Sequence, residues 1–166
     1  VVKMDSNWDM EWQKLHGSIN DDIALCVQQT IDGGYFIAGR WRVITGEPDK
    51  FYALKLDADG NRTWERAMGG NGYDIAYTCQ QIADGGYIVA GESSSTDIPG
   101  LTYIGNVDIY LVKLDSSGAT SWQKMYGGNG WDRVFSIQQT SDDGYILAGM
   151  SYSFDLSGQT HNGQDD

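Results

Sequence analysis

The residues of this chain best suited to chemistry are carboxylates set in or beside glycine-rich turns. Asp74 and Asp132 follow the runs Gly69-Gly70-Asn71-Gly72 and Gly127-Gly128-Asn129-Gly130, and Asp97 and Asp155 lie in the loops further on. Two of them held roughly 5 Å apart would suit a retaining glycosidase, and a wider gap an inverting one. Other catalytic signals are thin. His16 and His161 are the only histidines, and they read as turn or surface residues rather than bases or ligands. Asp57-Ala58-Asp59-Gly60-Asn61 resembles a calcium loop only superficially. An EF-hand needs Gly at its sixth position and Glu at its twelfth, where this chain has Arg62 and Met68. The glycine runs do not open a helix after a strand, as phosphate-binding glycine loops do. No catalytic residue, metal site or cofactor is assigned; an acidic surface is open to calcium, but no motif encodes a site for it.

The elements that must position these residues recur along the chain. Gly69 to Gly91 reads GGNGYDIAYTCQQIADGGYIVAG; Gly127 to Gly149 reads GGNGWDRVFSIQQTSDDGYILAG, and Gly17 to Gly39 is a more worn copy. Gly39, Gly91 and Gly149 are separated by 52 and 58 residues (91 − 39 and 149 − 91), and the series Trp12/Trp64/Trp122 and Lys3/Lys55/Lys113 keep the same intervals. Periods of this size with strand-like content mark a repeat architecture.

Each copy reads as four strands and no helix. A strand opening on Asp22, Asp74 or Asp132 ends in Gln-Gln; a DGG or DDG turn leads to an apolar run, YFIAG, YIVAG or YILAG. A third strand (VVKMD, ALKLD, LVKLD) meets a turn that needs positive φ at Gly60 and Gly118. A fourth carries the Trp. The loops Arg40 to Asp49, Glu92 to Val107 and Met150 to Asp166 vary most. The expectation is an all-β chain divided into 1–16 (third and fourth strands of a unit), 17–68 and 69–126 (complete units) and 127–166 (first and second strands plus loop).

The run GGNGYDIAYTCQQIADGGYIVAGES followed by DIYLVKLDSSGATSWQKMYGG resembles a four-stranded β-propeller blade repeat of large secreted or surface proteins of bacteria and archaea. YLVKLDSSGATSW is also similar to the VYALDxxTGxxxW segment of quinoprotein-type propellers, whose Trp docks blade to blade. The resemblance implies β-propeller blades, about three equivalents with split blades at the termini, and blade docking by Trp12, Trp64 and Trp122. It implies no quinone and does not fix a function.

Residues that differ between copies carry more functional information. In propeller order, the glycine turns and variable loops share a face, which collects Trp41, Arg42, Asn71, Tyr73, Tyr103, Asn129, Trp131, Tyr152 and Phe154. Exposed aromatics among Asn and Asp suit a carbohydrate or protein ligand. Asp74 and Asp132 read first as acceptors for their own turns, and second as ligand contacts on that face. Gln28-Gln29 and their copies are expected to tie strand edges to loops.

Bulk properties narrow the partners. With 23 acidic and 11 basic residues the formal charge is −12, which opposes nucleic acid and anionic lipid. No run of about 18 apolar residues exists for a membrane span. Cys26 matches Thr78 and Ser136, whereas Cys79 matches Val27 and Ile137. One residue apart in register, the two thiols are expected to face opposite sides and stay separate.

The leading expectation is a non-catalytic extracellular or cell-surface binding, adhesion or scaffold module. The alternatives are a glycan-active enzyme and a purely structural repeat segment. The opening Val1-Val2-Lys3 suggests a piece excised from a larger protein that supplies neighbouring blades covalently. The other option is self-association, a two-fold dimer closing a six-bladed ring with Val1 aligned on Leu111 and Asp166 on Asp108.

Overall fold

The computed structural model describes residues 1–42 and 46–156; His161 and Asp166 lie outside them. The described residues form twelve β-strands in four antiparallel sheets and no α-helix, so no helix is long and apolar enough to cross a membrane. The first sheet pairs β1 (Val2–Met4) with β2 (Met10–Gln13). The second is a meander of β3 (Ile23–Gln29), β4 (Tyr35–Trp41), β5 (Lys50–Leu56) and β6 (Arg62–Met68). The third repeats that order with β7 (Asp74–Gln81), β8 (Tyr87–Ser93), β9 (Asp108–Leu114) and β10 (Thr120–Tyr126). The fourth pairs β11 (Asp132–Gln139) with β12 (Tyr145–Ser151).

Corresponding residues take corresponding registers. Tyr35 faces Leu56 as Tyr87 faces Leu114, and the ladder slips between Ala24/Cys26, Ala76/Thr78 and Val134/Ser136. Each slip is a β-bulge, which sharpens the twist of a strand at one defined point. The second strands run further than the apolar pattern suggests. Trp41 continues the ladder opposite Lys50, and Glu92 lies opposite Ile109. Trp41 therefore belongs to β4, not to a variable loop.

Successive sheets bury their faces against one another. Phe36, Ala38 and Phe51 of the second sheet meet Ala76, Cys79, Tyr87 and Val89 of the third. Ile88, Ala90 and Leu111 of the third meet Val134 and Ile137 of the fourth. A strand flanked by neighbours on both edges and covered on both faces needs apolar residues throughout, and every residue of β8 is buried. The corresponding β12 has one bare edge and alternates between half-buried and exposed.

Each Trp in the fourth-strand position leans on the next sheet. The indole of Trp12 lies over Gly60 and edge-on to Tyr35; that of Trp64 lies over Gly118 and edge-on to Tyr87. A side chain at either glycine would collide, since an added Cβ would stand 2.8 Å from the indole. Trp122 meets Tyr145 edge-on at 6.0 Å. All three indoles are half-buried.

Of the cysteine expectation, the separation of the two thiols is overturned. Cys26 and Cys79 do point from opposite faces of their sheets, but those are the two faces that meet. Their sulfurs approach to 3.0 Å as a pair of free thiols. The Cys79 S–H donates to Cys26, which lowers the Cys26 pKa to about 7, while that contact and burial push the Cys79 thiol well up.

Candidate ligand-binding site

The glycine turns and the loops after β8 and β12 are tied together, and aspartates tie them. Asp74 Oδ2 accepts the Gly70 N–H at 3.1 Å and the Ser95 hydroxyl at 2.9 Å, and Asp74 Oδ1 accepts the Ser93 hydroxyl. Asp132 repeats this with Gly128 N–H at 2.8 Å and the hydroxyls of Ser151 and Ser153. Asp22 takes the Ser18 and Arg42 N–H groups. Asp74 and Asp132 are fully buried, and burial raises the Asp74 pKa against the hydrogen bonds that lower it. Asp97 and Asp155 complete the turns by accepting from Asn71 N–H at 2.6 Å and Asn129 N–H at 2.8 Å. A backbone turn with converging N–H groups is held open by such acceptors.

These bonds sort the residues expected on this face. Arg42 donates from Nε to the buried Asp49 at 2.8 Å, and Arg40 pairs with the same carboxylate. Asn71 bonds Thr96 through its side-chain amide, at 3.0 Å from both atoms. Tyr103 donates to the Asn106 carbonyl at 2.9 Å. Trp41 packs on Tyr52, centroids 5.2 Å apart. Asn129 accepts Asn106 Nδ2 at its carbonyl and the Phe154 N–H at its side chain. All of these hold the loops in shape. Tyr73, Trp131, Tyr152 and Phe154 instead present aromatic surface to solvent.

Two of those four come together. Trp131 and Tyr152 line a cleft of about 390 Å³ with Gly130, Arg133 and Met150, inside the range of small-ligand sites. Tyr152 N–H donates to the Trp131 carbonyl at 2.9 Å, which fixes the two backbones side by side. The Arg133 guanidinium lies 5.3 Å from the centre of the Trp131 ring and also pairs with Glu92 of the third sheet. A cation over an indole face restrains the ring, so Trp131 is pre-set although it is 48% exposed.

Sequence reasoning missed Arg133 and Met150. The signal was there: Arg133 stands where the other copies have Ile23 and Ile75, a charge introduced at an apolar position. Among the described residues no group of three or more His, Cys, Asp or Glu converges as a metal site. No family model matches this chain, and no curated protein matches it.

Proposed function

We propose that this chain is a segment of β-propeller that serves as a non-catalytic binding or adhesion module of an extracellular or surface protein, taking a neutral carbohydrate at the Trp131–Tyr152 cleft. The observation that carries this reading is the cleft itself: an indole held by Arg133, half open to solvent, beside a second aromatic ring. Flat apolar faces stack on the apolar faces of sugar rings, and the backbone and amide groups of nearby turns supply directional hydrogen bonds. The net charge of −12 disfavours anionic glycans by simple repulsion. Four meandering and paired sheets, joined in sequence by Trp12 over Gly60, Trp64 over Gly118 and Trp122 against Tyr145, support the propeller reading.

A glycosidase based on Asp74, Asp132, Asp97 and Asp155 draws no support from this geometry. The first two carboxylates are buried among hydroxyl and N–H donors, and the other two cap backbone turns. The test is an array of neutral and anionic oligosaccharides probed with the wild-type chain and with Trp131→Ala. Retention of neutral glycans that falls at least tenfold in the variant is expected, equivalent to about 1.4 kcal/mol. Retention unaffected by the substitution contradicts the assignment. Silence on the array with capture of a protein ligand moves the face to protein binding, and silence on both leaves a structural segment.

A further inference from the structure

Lys50 and Asp108 hold the same place in successive sheets. Lys50 opens β5 opposite Trp41 in the ladder that pairs Tyr35 with Leu56, and Asp108 opens β9 opposite Ser93 in the ladder that pairs Tyr87 with Leu114. Each faces the glycine turn that enters the next sheet. The Lys50 ammonium donates to the Gly70 carbonyl, and its charge works against the burial that raises the Asp74 pKa. The junction of the second and third sheets thus sets one buried carboxylate beside one cation.

At the junction of the third and fourth sheets a carboxylate replaces that cation. Asp108 is 0% exposed and Asp132 is 1% exposed. A Cβ added to Gly127 would collide with Oδ1 of Asp108 and Oδ2 of Asp132 at once, so both oxygens converge on the bare backbone of that glycine. Burial first, and then the Asp132 charge, push the Asp108 pKa up against the backbone N–H groups that lower it.

The two oxygens of Asp108 are used unequally. Oδ2 accepts the Ile104 N–H at 2.9 Å and the Gly105 N–H at 3.2 Å. Oδ1 is buried with no hydrogen-bond partner among the described residues. A buried carboxylate oxygen without a donor bears the cost of leaving water uncompensated. Asp132 Oδ2 already accepts the Gly128 N–H and the Ser153 hydroxyl. The bare face of Gly105 lies against the Gly128 carbonyl, a further acceptor, and Gly128 is the counterpart of Gly70, whose carbonyl takes the Lys50 ammonium.

We propose that a calcium ion binds at this junction in place of the lysine ammonium, held by Asp108 Oδ1 and Asp132 Oδ2, with the Gly128 carbonyl and water completing its oxygen shell. Calcium accepts carboxylate and backbone carbonyl ligands in irregular geometry, whereas magnesium demands a near-ideal octahedron and keeps several waters, which suits an open site better than a buried one. A doubly charged ion matches two buried carboxylates as a single ammonium matches one. Val107 bridges to Trp131, and the Asp132 N–H donates to the Val107 carbonyl at 2.8 Å, so the ion would brace the turn that carries the aromatic cleft. The site stands without the sugar reading.

Calorimetric titration and thermal unfolding of the full chain, stripped with EDTA and then given calcium chloride, test this. One calcium ion is expected to bind, and the unfolding midpoint to rise by roughly 5 to 10 °C at calcium near a hundredfold the dissociation constant. Magnesium at matched ionic strength should give a small fraction of that rise. Asp108→Lys, which supplies the ammonium of the preceding junction, should abolish the calcium response, and Asp108→Asn should weaken binding at least tenfold. Calcium adsorbed generally on a chain of charge −12 would act on Asp108→Lys as on wild type, so an unchanged response in that variant overturns the site. A wild type indifferent to calcium overturns it too, as does an equal response to magnesium. If neither variant folds, carboxyl NMR of wild-type Asp108 decides. A shift on addition of calcium supports the site, whereas a carboxyl that ignores calcium and stays protonated at neutral pH means that the two aspartates share a proton instead. Glycan retention by Trp131→Ala reports on the cleft alone, so the two readings fail separately.

Discussion

The sulfur atoms of Cys26 and Cys79 lie 3.0 Å apart, across the face where the second sheet meets the third. This contact joins β3 to β7 near the bulge in each strand. A disulfide between them would close a loop of more than 50 residues, from Cys26 to Cys79, and would lock the two sheets together.

Mild oxidation with diamide should therefore convert both thiols to one intramolecular disulfide and raise unfolding stability by about 2 to 4 kcal/mol. The Cys26 pKa of about 7, lowered chiefly by the Cys79 hydrogen bond, makes its alkylation rate climb through neutral pH, with Cys79 protected by its burial and raised pKa. Peptide mapping checks the pair. Two thiols that alkylate independently after diamide treatment would refute the contact.

The Trp-over-Gly contact can be separated from the backbone cost of its glycine. Gly118 and Gly33 share a positive φ, 81° and 80°, but only at Gly118 would a Cβ meet an indole, 2.8 Å from Trp64. Gly33→Ala should cost about 1 to 2 kcal/mol for the left-handed backbone alone. Gly118→Ala should cost about 3 kcal/mol, because the indole must also move, and Trp64→Ala about 3 to 5 kcal/mol. Urea unfolding at a single protein concentration compares the three. Equal costs for the two glycine variants would show that the indole does not rest there.

Two residues take left-handed backbone where the other copies have glycine. Trp8 (φ 67°) corresponds to Gly60 and Gly118, and Asp143 (φ 66°) to Gly33 and Gly85. Trp8→Gly and Asp143→Gly should each gain about 1 kcal/mol by removing that strain. Trp8, 82% exposed, gives up little packing when removed. A loss of stability in Asp143→Gly would mean that its side chain has a role beyond the turn.

Acid sensitivity should track one ion pair. Lys55, itself buried, holds the Asp32 carboxyl down to about 2, with help from the Thr30 hydroxyl. A depressed folded-state pKa contributes stability that is fully present above the unfolded value near 4 and is lost as pH falls towards 2. Lys55→Met should raise the Asp32 midpoint, as followed by carboxyl NMR, and shrink the acid-range loss of stability. Solvent screening at this exposed carboxylate keeps the effect small. A midpoint that stays near 2 in the variant would assign the shift to Thr30 and the turn instead.

Much of this was legible because equivalent residues repeat. The 52- and 58-residue intervals of Trp, Lys and Gly identify strands and turns without any helix period, and the Asp–Gly–Asn spacing identifies self-capped turns. The cysteine contact was not legible, since register within one sheet says nothing about which faces of successive sheets meet. Trp41 was placed in a loop because apolar alternation ends before the ladder does. The cleft was half legible: Trp131 and Tyr152 stood out as aromatic, while Arg133 required comparing each copy with the others at a single position.

The assignment of the loop face turns on Trp131, and the six indoles of the chain can be followed separately. Titration of the 15N-labelled protein with the neutral oligosaccharide best retained on the array should shift the Trp131 Nε1–H resonance. The resonances of Trp12, Trp64 and Trp122, which serve sheet docking, should stay in place. Movement of the docking indoles while Trp131 stays fixed would contradict the account.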